Sequence, residues 1–292
     1  MTDKHAYRIS LYKETLSIIE KGKYTSQSGK EITLPSKDEV TGNASFYDTE
    51  FRVMFDPIAP IKTTFQVEDK DCVEAAADLQ DKGYNPALLN LADLYTPGGL
   101  VEYGSGAQEE NLCRRSNLML SLYQFSTSRI YELPSLGLKA NSCQYPMDKR
   151  YGGIYSGNVL FFRSTEEKGS VLLDDPRIIP VISVAAIAGP RITREGNLSP
   201  EAESLTRDKM RTIFRIAMAN SHDSVVLSAF GCGAFANPPA AIARLFHETL
   251  LEDEFRDVFR LVDFAILDGY RTGLSHNPEG NLIPFQREFQ QE

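Results

Sequence analysis

The chain has 292 residues, of which 42% are hydrophobic and 24% charged, a composition that argues against a disordered, collagen-like or coiled-coil protein. Its formal net charge of −9 argues against a broad nucleic-acid-binding surface, which needs many basic side chains, but leaves room for a local pocket that binds a small anion. No apolar signal segment follows Met1, and the longest apolar run, Ile178 to Gly189, is too short to span a bilayer. We therefore expect a cytoplasmic or otherwise intracellular protein without a membrane segment.

The cysteines and histidines show no spacing typical of a metal centre or a disulfide framework. The cysteines lie far apart and form no CxxC pattern. We expect reduced, mostly buried thiols at Cys72, Cys113, Cys143 and Cys232. The histidines lack HxxxH and HExxH spacing, so we expect no metal site and no cofactor.

Residues 1–60 differ in composition from the rest of the chain. One helix is predicted from about Arg8 to Lys21, and a polar stretch rich in Thr, Ser, Gly, Lys and Asp follows it to Asn43. This pattern predicts an N-terminal accessory segment at 1–60 and a second, larger domain at 61–292.

From Thr63 onward, segments with the patterns of strands and helices alternate. The predicted strands are Thr64–Glu68, Ala87–Ala92, Val181–Ala188, Val225–Ala229 and Leu261–Leu267. The predicted helices are Cys72–Lys82, Ala107–Phe125, one from Ser199-Pro200 to about Asn220, and one that begins at Asn237-Pro238-Pro239. Strands that alternate with helices predict a layered α/β domain with a largely parallel sheet.

Two glycine loops follow predicted strands and precede predicted helices. They are Pro97-Gly98-Gly99-Leu100 and Phe230-Gly231-Cys232-Gly233-Ala234-Phe235. Either loop alone is an ordinary turn, but glycine lets backbone N–H groups approach an anion, and two such loops at one expected sheet edge favour a phosphate-bearing ligand. Neither loop matches the Walker or Rossmann pattern.

Gln108-Glu109-Glu110 lies between the first loop and its helix. Acids in a first turn commonly complement the helix dipole, and Glu110 with Arg114 can form a surface i, i+4 pair. A carboxylate beside a phosphate-binding loop can also protonate a glycosidic leaving oxygen and then activate water. Neighbouring helical residues point about 100° apart, so we expect Glu109 and Glu110 to have different roles.

These residues resemble the signature of bacterial-type poly(ADP-ribose) glycohydrolases, a branch of the macrodomain fold. That signature has three glycines, six to eight residues, and then Gln-Glu-Glu; here Pro97-Gly98-Gly99-Leu100 is followed by Gln108-Glu109-Glu110. The resemblance returns at Ser228 to Pro239 and covers roughly residues 60–270. It implies a three-layer α/β/α macrodomain-like sandwich with a mixed, largely parallel sheet and an N-terminal accessory segment.

The resemblance also implies residue roles. Glu110 matches the catalytic acid/base, and Glu109 the neighbour that holds the ribose hydroxyls, with Gln108 in the same motif. Among the substrate-binding residues, Asn90 matches the asparagine that orients the distal ribose, and Asp71 an aspartate that binds the adenine amine. The loop positions implied to bind substrate are Gly98, Gly99 and Leu100 near the ribose, Gly231, Cys232, Gly233 and Ala234 at the diphosphate, and Phe235 near the terminal ribose.

The implied activity is release of ADP-ribose from poly(ADP-ribose) or from ADP-ribosylated protein. Cleavage at ribose C1″ develops oxocarbenium-like charge, while Glu110 protonates the departing oxygen and then takes a proton from water. Proton donation at neutral pH requires a raised pKa, which burial beside a second carboxylate and a diphosphate can supply. The expected partners are therefore ADP-ribose, poly(ADP-ribose) or an ADP-ribosylated protein.

Leu100 departs from the signature, because it stands where the third glycine is expected. The added side chain can turn away harmlessly or reshape the leaving-group side, which would favour ADP-ribose on a protein side chain. The alternatives are therefore a mono-ADP-ribosyl hydrolase specific for one side-chain linkage, such as arginine, and a macrodomain that binds ADP-ribose without cleaving it. Cys232 in its Gly-Cys-Gly turn is interpreted as a small buried residue and not as a nucleophile.

Overall fold

The computed structural model describes residues 3–53, 62–127, 144–269 and 272–290. The chain divides into two compact units. The first comprises Met1–Phe46, Ala92–Met147 and Ile154–Ser183, and the second comprises Tyr47–Leu91, Asp148–Gly153 and Val184–Glu292. The predicted division into 1–60 and 61–292 has its boundary outside the described residues and stays a prediction, and Cys143 also lies outside them.

Helices and strands alternate along much of the chain, as predicted. The helices are α1 (Lys4–Lys21), α2 (Lys37–Gly42), α3 (Cys72–Asp81), α4 (Gln108–Arg115), α5 (Leu118–Tyr123), α6 (Pro200–Ala219), α7 (Pro239–Leu250) and α8 (Leu282–Phe289), with a short 3₁₀ helix at Val101–Tyr103. The strands are β1 (Lys23–Thr25), β2 (Glu31–Thr33), β3 (Ala44–Tyr47), β4 (Thr64–Glu68), β5 (Pro86–Leu91), β6 (Gly153–Ser156), β7 (Leu160–Arg163), β8 (Leu172–Ile178), β9 (Val181–Val184), β10 (Ser224–Leu227) and β11 (Leu261–Ala265).

The second unit contains a parallel run of strands in the order β5-β10-β11-β4. Val225 of β10 lies opposite Ala87 of β5, which fixes the register of that pair. β5, β10 and β11 are almost entirely apolar and buried, which is typical of strands covered on both faces. Because β5 and β10 run parallel, their carboxyl ends lie at the same edge of this run.

The first unit combines α1 with the helices that follow the first glycine loop. β6 and β9 pair antiparallel, and so do β7 and β8. The hydroxyl of Thr15 on α1 donates to the carbonyl of Arg114 on α4 over 2.6 Å, and the Tyr12 and Tyr123 hydroxyls lie 2.7 Å apart. Helix α1 therefore packs against the segment that carries Glu109 and Glu110.

Several predicted elements have other bounds in the structure. The predicted helix Ala107–Phe125 is two helices, because Ser116 is extended and its hydroxyl donates to the Leu112 carbonyl and accepts from the Leu118 N–H. The neighbouring Asn117 Oδ1 accepts a hydrogen bond from the Leu160 N–H of β7. The predicted strand Val181–Ala188 ends at Val184. Among the described helices, none is both long and apolar enough to cross a membrane.

Candidate active site

Glu109 and Glu110 occupy the first turn of α4 and are both buried, with 3% and 6% of their surface exposed. Ala107, the N-cap residue, provides no side-chain cap for this helix. Buried carboxylates at a helix N-terminus benefit from the positive end of the helix dipole. The first-turn placement predicted from the sequence is thus observed, and both side chains point inward.

Glu109 is anchored through both of its carboxylate oxygens. Its Oε2 accepts a hydrogen bond from the Asp93 N–H at 2.7 Å, and its Oε1 accepts one from the Gly98 N–H at 3.1 Å. Asp93 follows β5, and Gly98 lies in the first glycine loop. Glu109 therefore holds the loop 93–98 against the start of α4.

Glu110 is bound at only one oxygen. Its Oε1 accepts a hydrogen bond from the Leu100 N–H at 3.0 Å, whereas its buried Oε2 has no hydrogen-bond partner among the described residues. A carboxylate fixed at one oxygen and open at the other can donate or accept a proton at the open oxygen. This is the geometry that a general acid/base needs.

The first loop favours glycine at two positions, because both have a positive φ and one also lies against the carboxylates. Gly99 has φ +56°, and a Cβ at this residue would stand 2.6 Å from Oε1 of Glu110. Gly98 has φ +74°, and a Cβ there would meet Sγ of Cys113 at 3.4 Å. Leu100 has φ −102°, which any residue adopts, and its side chain is exposed. The glycine missing from the signature is therefore not needed for the backbone conformation.

Arg114, one turn after Glu110, binds the segment between the first glycine loop and α4. Its Nη1 donates to the carbonyl of Ser105 over 2.7 Å. Burial, with the neighbouring Arg8 charge, lowers the pKa of Arg114 to about 10, while Glu110 acts in the opposite direction. The sequence-based alternative of a surface Glu110–Arg114 pair is wrong, because both side chains are buried. Gln108, the first residue of α4, is half-buried.

The second glycine loop belongs to the second unit and follows β10. Gly231 has φ +73°, and a Cβ at this residue would lie 2.5 Å from Nδ2 of Asn237, so the turn requires glycine. At Gly233 a Cβ would meet no protein atom within 4 Å, so the backbone faces open space there. Within the described part of the chain, the N–H groups of Gly233, Ala234 and Phe235 donate to no protein acceptor. Consecutive N–H groups of this kind can bind an anion.

Two residues that organise the second loop were not identified as functional from the sequence. The Nδ2 of Asn237, a buried side chain, donates to the carbonyls of Ile187 at 2.8 Å and Gly231 at 3.0 Å. His276 Nε2 lies 2.8 Å from the Cys232 carbonyl, and because a carbonyl only accepts, Nε2 must carry the proton. Asn237 stands at the end of the loop motif, which is a usable signal, whereas nothing in the sequence connects His276 to this loop.

Cys232 is fully buried, and burial raises the pKa of its thiol well above its usual range, with Asp268 adding to the effect. A thiol of this kind is a poor nucleophile. The interpretation of Cys232 as a small packing residue therefore agrees with its surroundings. Cys72 and Cys113 are also buried free thiols, as predicted.

The two remaining predicted substrate-binding residues lie in the second unit. Asn90 is fully buried in β5. Asp71 is the N-cap of α3, and its Oδ1 accepts hydrogen bonds from the N–H groups of Val73 and Glu74, both at 3.1 Å. The structure therefore gives Asp71 a capping role that the sequence analysis did not assign. In the part of the chain that the structure describes, no group of three His, Cys, Asp or Glu residues is arranged to hold a metal ion.

Comparison with known proteins gives matches to poly(ADP-ribose) glycohydrolase, abbreviated PARG. The model of the microbial-type PARG catalytic domain matches residues 12–164, a range that includes Glu109 and Glu110. PARG from Thermomonospora curvata is 24% identical, with a TM-score of 0.74 over 97% of this chain and 100% of that chain, and its complex with the inhibitor ADP-HPD is 26% identical, with a TM-score of 0.73 over the same shares. PARG from Deinococcus radiodurans in complex with ADP-ribose is 29% identical, with a TM-score of 0.64 over 89% of this chain and 99% of that chain. A search of curated protein sequences gave no match.

These matches define the class of protein, a hydrolase with an α/β fold that acts on glycosidic bonds of ADP-ribose. The chain belongs to the microbial-type PARG catalytic domain family. The predicted family, the predicted α/β fold with a mixed, largely parallel sheet, and the predicted glycohydrolase activity are thereby confirmed.

Proposed function

We propose that this protein releases ADP-ribose from poly(ADP-ribose) by acid/base cleavage at ribose C1″, with Glu110 as the catalytic acid/base. One observation carries the proposal. The buried Glu110 carboxylate is fixed at Oε1 by the Leu100 N–H, and its Oε2 has no hydrogen-bond partner among the described residues. Membership of the PARG family supports the same reaction.

The proposed reaction has two proton transfers at the same oxygen. As the bond from C1″ to the leaving oxygen breaks, the Glu110 Oε2–H donates its proton to that oxygen, and C1″ gains oxocarbenium character. The resulting carboxylate then takes a proton from water, whose oxygen bonds to C1″ and completes ADP-ribose. Anchorage of Glu109 at both oxygens fixes the loop around this site, and its carboxylate is also proposed to accept hydrogen bonds from the ribose hydroxyls.

The remaining predicted residues are proposed to bind the rest of the substrate. The N–H groups of Gly233, Ala234 and Phe235 are proposed to bind the diphosphate, because they donate to no acceptor in the described protein. Binding by backbone N–H groups suits a chain whose net charge is −9, since it needs no basic surface. Gly98, Gly99 and Asn90 are proposed to contact the distal ribose, the Phe235 ring to pack on it, and Asp71 to bind the adenine amine.

The decisive experiment measures ADP-ribose release from poly(ADP-ribose) and from mono-ADP-ribosylated peptides, beside calorimetry with free ADP-ribose. We expect the parent to release ADP-ribose from the polymer. Glu110→Gln should lower kcat by at least about a thousandfold while its affinity for ADP-ribose stays within about threefold, because the amide keeps its shape but cannot transfer the proton.

Other outcomes of this experiment would support one of the two alternative functions. Release of ADP-ribose from one peptide linkage only would identify a mono-ADP-ribosyl hydrolase. Binding of ADP-ribose without any release would identify a macrodomain that binds ADP-ribose without cleaving it. Full activity of Glu110→Gln would remove Glu110 from the chemistry. The expected intracellular location stays a prediction.

A further inference from the structure

We propose that Leu100 and Tyr103 form an apolar surface that binds the adenine nucleoside of the leaving group, and so favours polymer over modified protein side chains. This inference rests on the proposed function and names the substrate class of the same site. The two residues are called the Leu100–Tyr103 surface below. No role for Tyr103 follows from the glycine signature or from the catalytic scheme above.

The position of this surface follows from the hydrogen bond between the Leu100 N–H and the Glu110 carboxylate. The Leu100 N–H donates to Oε1 of Glu110 at 3.0 Å. The Leu100 side chain is attached to the Cα next to this nitrogen and therefore starts close to the Glu110 carboxylate. A general acid must lie within hydrogen-bond distance of the oxygen that it protonates. The chemical group attached to that oxygen is therefore a neighbour of Leu100 in the reacting complex.

Leu100 and Tyr103 share one face of the 3₁₀ turn. The Tyr103 N–H donates to the Leu100 carbonyl at 3.0 Å, and residues three apart are eclipsed in a 3₁₀ helix. Both side chains are exposed, Leu100 by 55% and Tyr103 by 67%. Two large apolar side chains left in water beside a catalytic carboxylate are typical of a ligand contact.

The backbone beneath this surface is fixed. His5 Nδ1 of α1 lies 3.2 Å from the Tyr103 carbonyl, and the Arg114 guanidinium binds the Ser105 carbonyl at 2.7 Å. Gly104, with φ +74°, packs so closely on His5 that a Cβ would collide with its backbone. Side-chain truncation at Leu100 or Tyr103 therefore removes contact area without removing any of these bonds.

The charge of the loop favours the nucleoside part of a nucleotide over its phosphates. Residues 95–106 include no lysine or arginine, and Glu102 is their only charged residue. An acidic, aromatic-bearing loop repels phosphate and offers a tyrosine ring on which a base can stack. In poly(ADP-ribose) the leaving oxygen is the 2′ oxygen of an adenosine, so adenine is attached to the same ribose. A modified protein side chain presents no aromatic plane at a constant place.

The test compares two substrates that share ADP-ribose and differ in the leaving group. One is poly(ADP-ribose), and the other is ADP-ribose α-linked at C1″ to trifluoroethanol, whose leaving group is too small to reach Tyr103. For Tyr103→Ala we expect kcat/KM on the polymer to fall about tenfold, the typical effect of losing one base–aromatic stack. Leu100→Ala should lower kcat/KM on the polymer by about threefold. Tyr103→Phe, which keeps the ring, should have a kcat/KM on the polymer within about twofold of the parent value.

On the trifluoroethyl substrate both Tyr103 variants should keep a kcat/KM within about twofold of the parent value. Leu251→Ala is the matched control, because it truncates a similarly exposed leucine in the second unit. It should leave kcat/KM on both substrates unchanged. An unchanged rate on the polymer for Tyr103→Ala would overturn the inference, and so would an equal loss on both substrates. A parent that releases nothing from the polymer would instead contradict the proposed function.

Discussion

Glu109 and Glu110 are adjacent in sequence, yet their surroundings differ at the level of single oxygens. Both oxygens of Glu109 accept backbone N–H groups, whereas among the described residues Glu110 has a hydrogen-bond partner at Oε1 alone. The difference separates a residue that fixes the loop from one that can move a proton. Replacement of each carboxylate by its isosteric amide distinguishes the two roles without changing side-chain shape.

We predict that Glu109→Gln lowers the free energy of unfolding by about 1–3 kcal/mol, because one backbone N–H would then face an amide NH₂ that cannot accept it. Glu110→Gln should change it by less than about 1 kcal/mol, because its carbonyl oxygen can still accept from Leu100. Urea unfolding of both variants measures the difference. Equal losses of stability would contradict the distinct roles.

The two glycines and Leu100 provide a second comparison between neighbouring residues. Gly99→Ala should lower the free energy of unfolding by about 2–4 kcal/mol, since a Cβ at φ +56° would stand 2.6 Å from Oε1 of Glu110. The same variant should lose activity because Glu110 is displaced. For Leu100→Ala, at a negative φ and with an exposed side chain, the free energy of unfolding should stay within about 0.5 kcal/mol of the parent value. Thermal or urea unfolding decides between these outcomes.

At the scale of elements, the second glycine loop depends on side chains outside its glycines. The Asn237 side chain binds the carbonyls of Ile187, Gly231 and Phe235, and His276 binds that of Cys232. These bonds hold the carbonyls inward, and the N–H groups of Gly233 to Phe235 donate to no acceptor in the described protein. The loop conformation is therefore supported by Asn237, which lies just before helix α7, and by His276 in the C-terminal segment.

We predict that Asn237→Ala weakens ADP-ribose binding by about tenfold and lowers the free energy of unfolding by about 1–3 kcal/mol. Asn220→Ala is the matched control, because Asn220 Nδ2 also donates to a backbone carbonyl, that of Ile216 at 2.8 Å, but at the end of α6. This control should lose stability without losing affinity. Calorimetry with ADP-ribose on both variants tests the difference, and equal affinities would contradict it.

The N-terminal helix is a second case in which an element acts through its contacts. Helix α1 brings Thr15 to Arg114, Tyr12 to Tyr123, and Glu14 to Arg163 at 3.1 Å. It also reaches the Tyr103 carbonyl through His5. Contacts to both α4 and the first glycine loop make α1 part of the support of the candidate active site.

For the whole molecule, a buried lysine makes stability depend on pH. Lys209 on α6 is 2% exposed, and its Nζ has no hydrogen-bond acceptor among the described residues. Burial lowers the pKa of Lys209 to about 8, although Asp148 favours the charged form. The unfolded chain therefore binds the proton more tightly than the folded protein, and the parent gains stability as pH rises from about 8 to about 10.4, the ordinary pKa of lysine.

We predict that Lys209→Met is more stable than the parent by about 1–3 kcal/mol at pH 7, and that this advantage shrinks as pH approaches 10. Urea unfolding at several pH values measures the difference between the two proteins, which removes the contribution of other titrating groups. Lys13→Met, at an exposed position, should differ from the parent by no more than about 0.5 kcal/mol throughout. A constant difference across the pH range would show that the Lys209 charge is not the cause.

Local sequence patterns were enough to predict the alternation of helices and strands, because apolar periodicity and capping residues act over short stretches of chain. Strand Thr64–Glu68 has the predicted bounds, and the helix that begins at Cys72 ends one residue before the predicted end. The glycine loop followed by Gln108-Glu109-Glu110 was sufficient to indicate the family. Local signals failed at Ser116, whose side chain competes for nearby backbone groups, and at Asn117, which accepts a hydrogen bond from the distant Leu160 N–H. These two residues divide a helix that was predicted as continuous.

The difference between the anchored Glu109 carboxylate and the open Glu110 carboxylate could not be predicted from sequence patterns. That difference depends on N–H groups from a loop before α4, whose path is fixed by contacts with α1 and Arg114. The harmless backbone conformation at Leu100 and the support of the second loop by His276 were likewise decided by packing between segments distant in sequence. Sequence patterns predict local conformation, but they do not contain the distances between such segments.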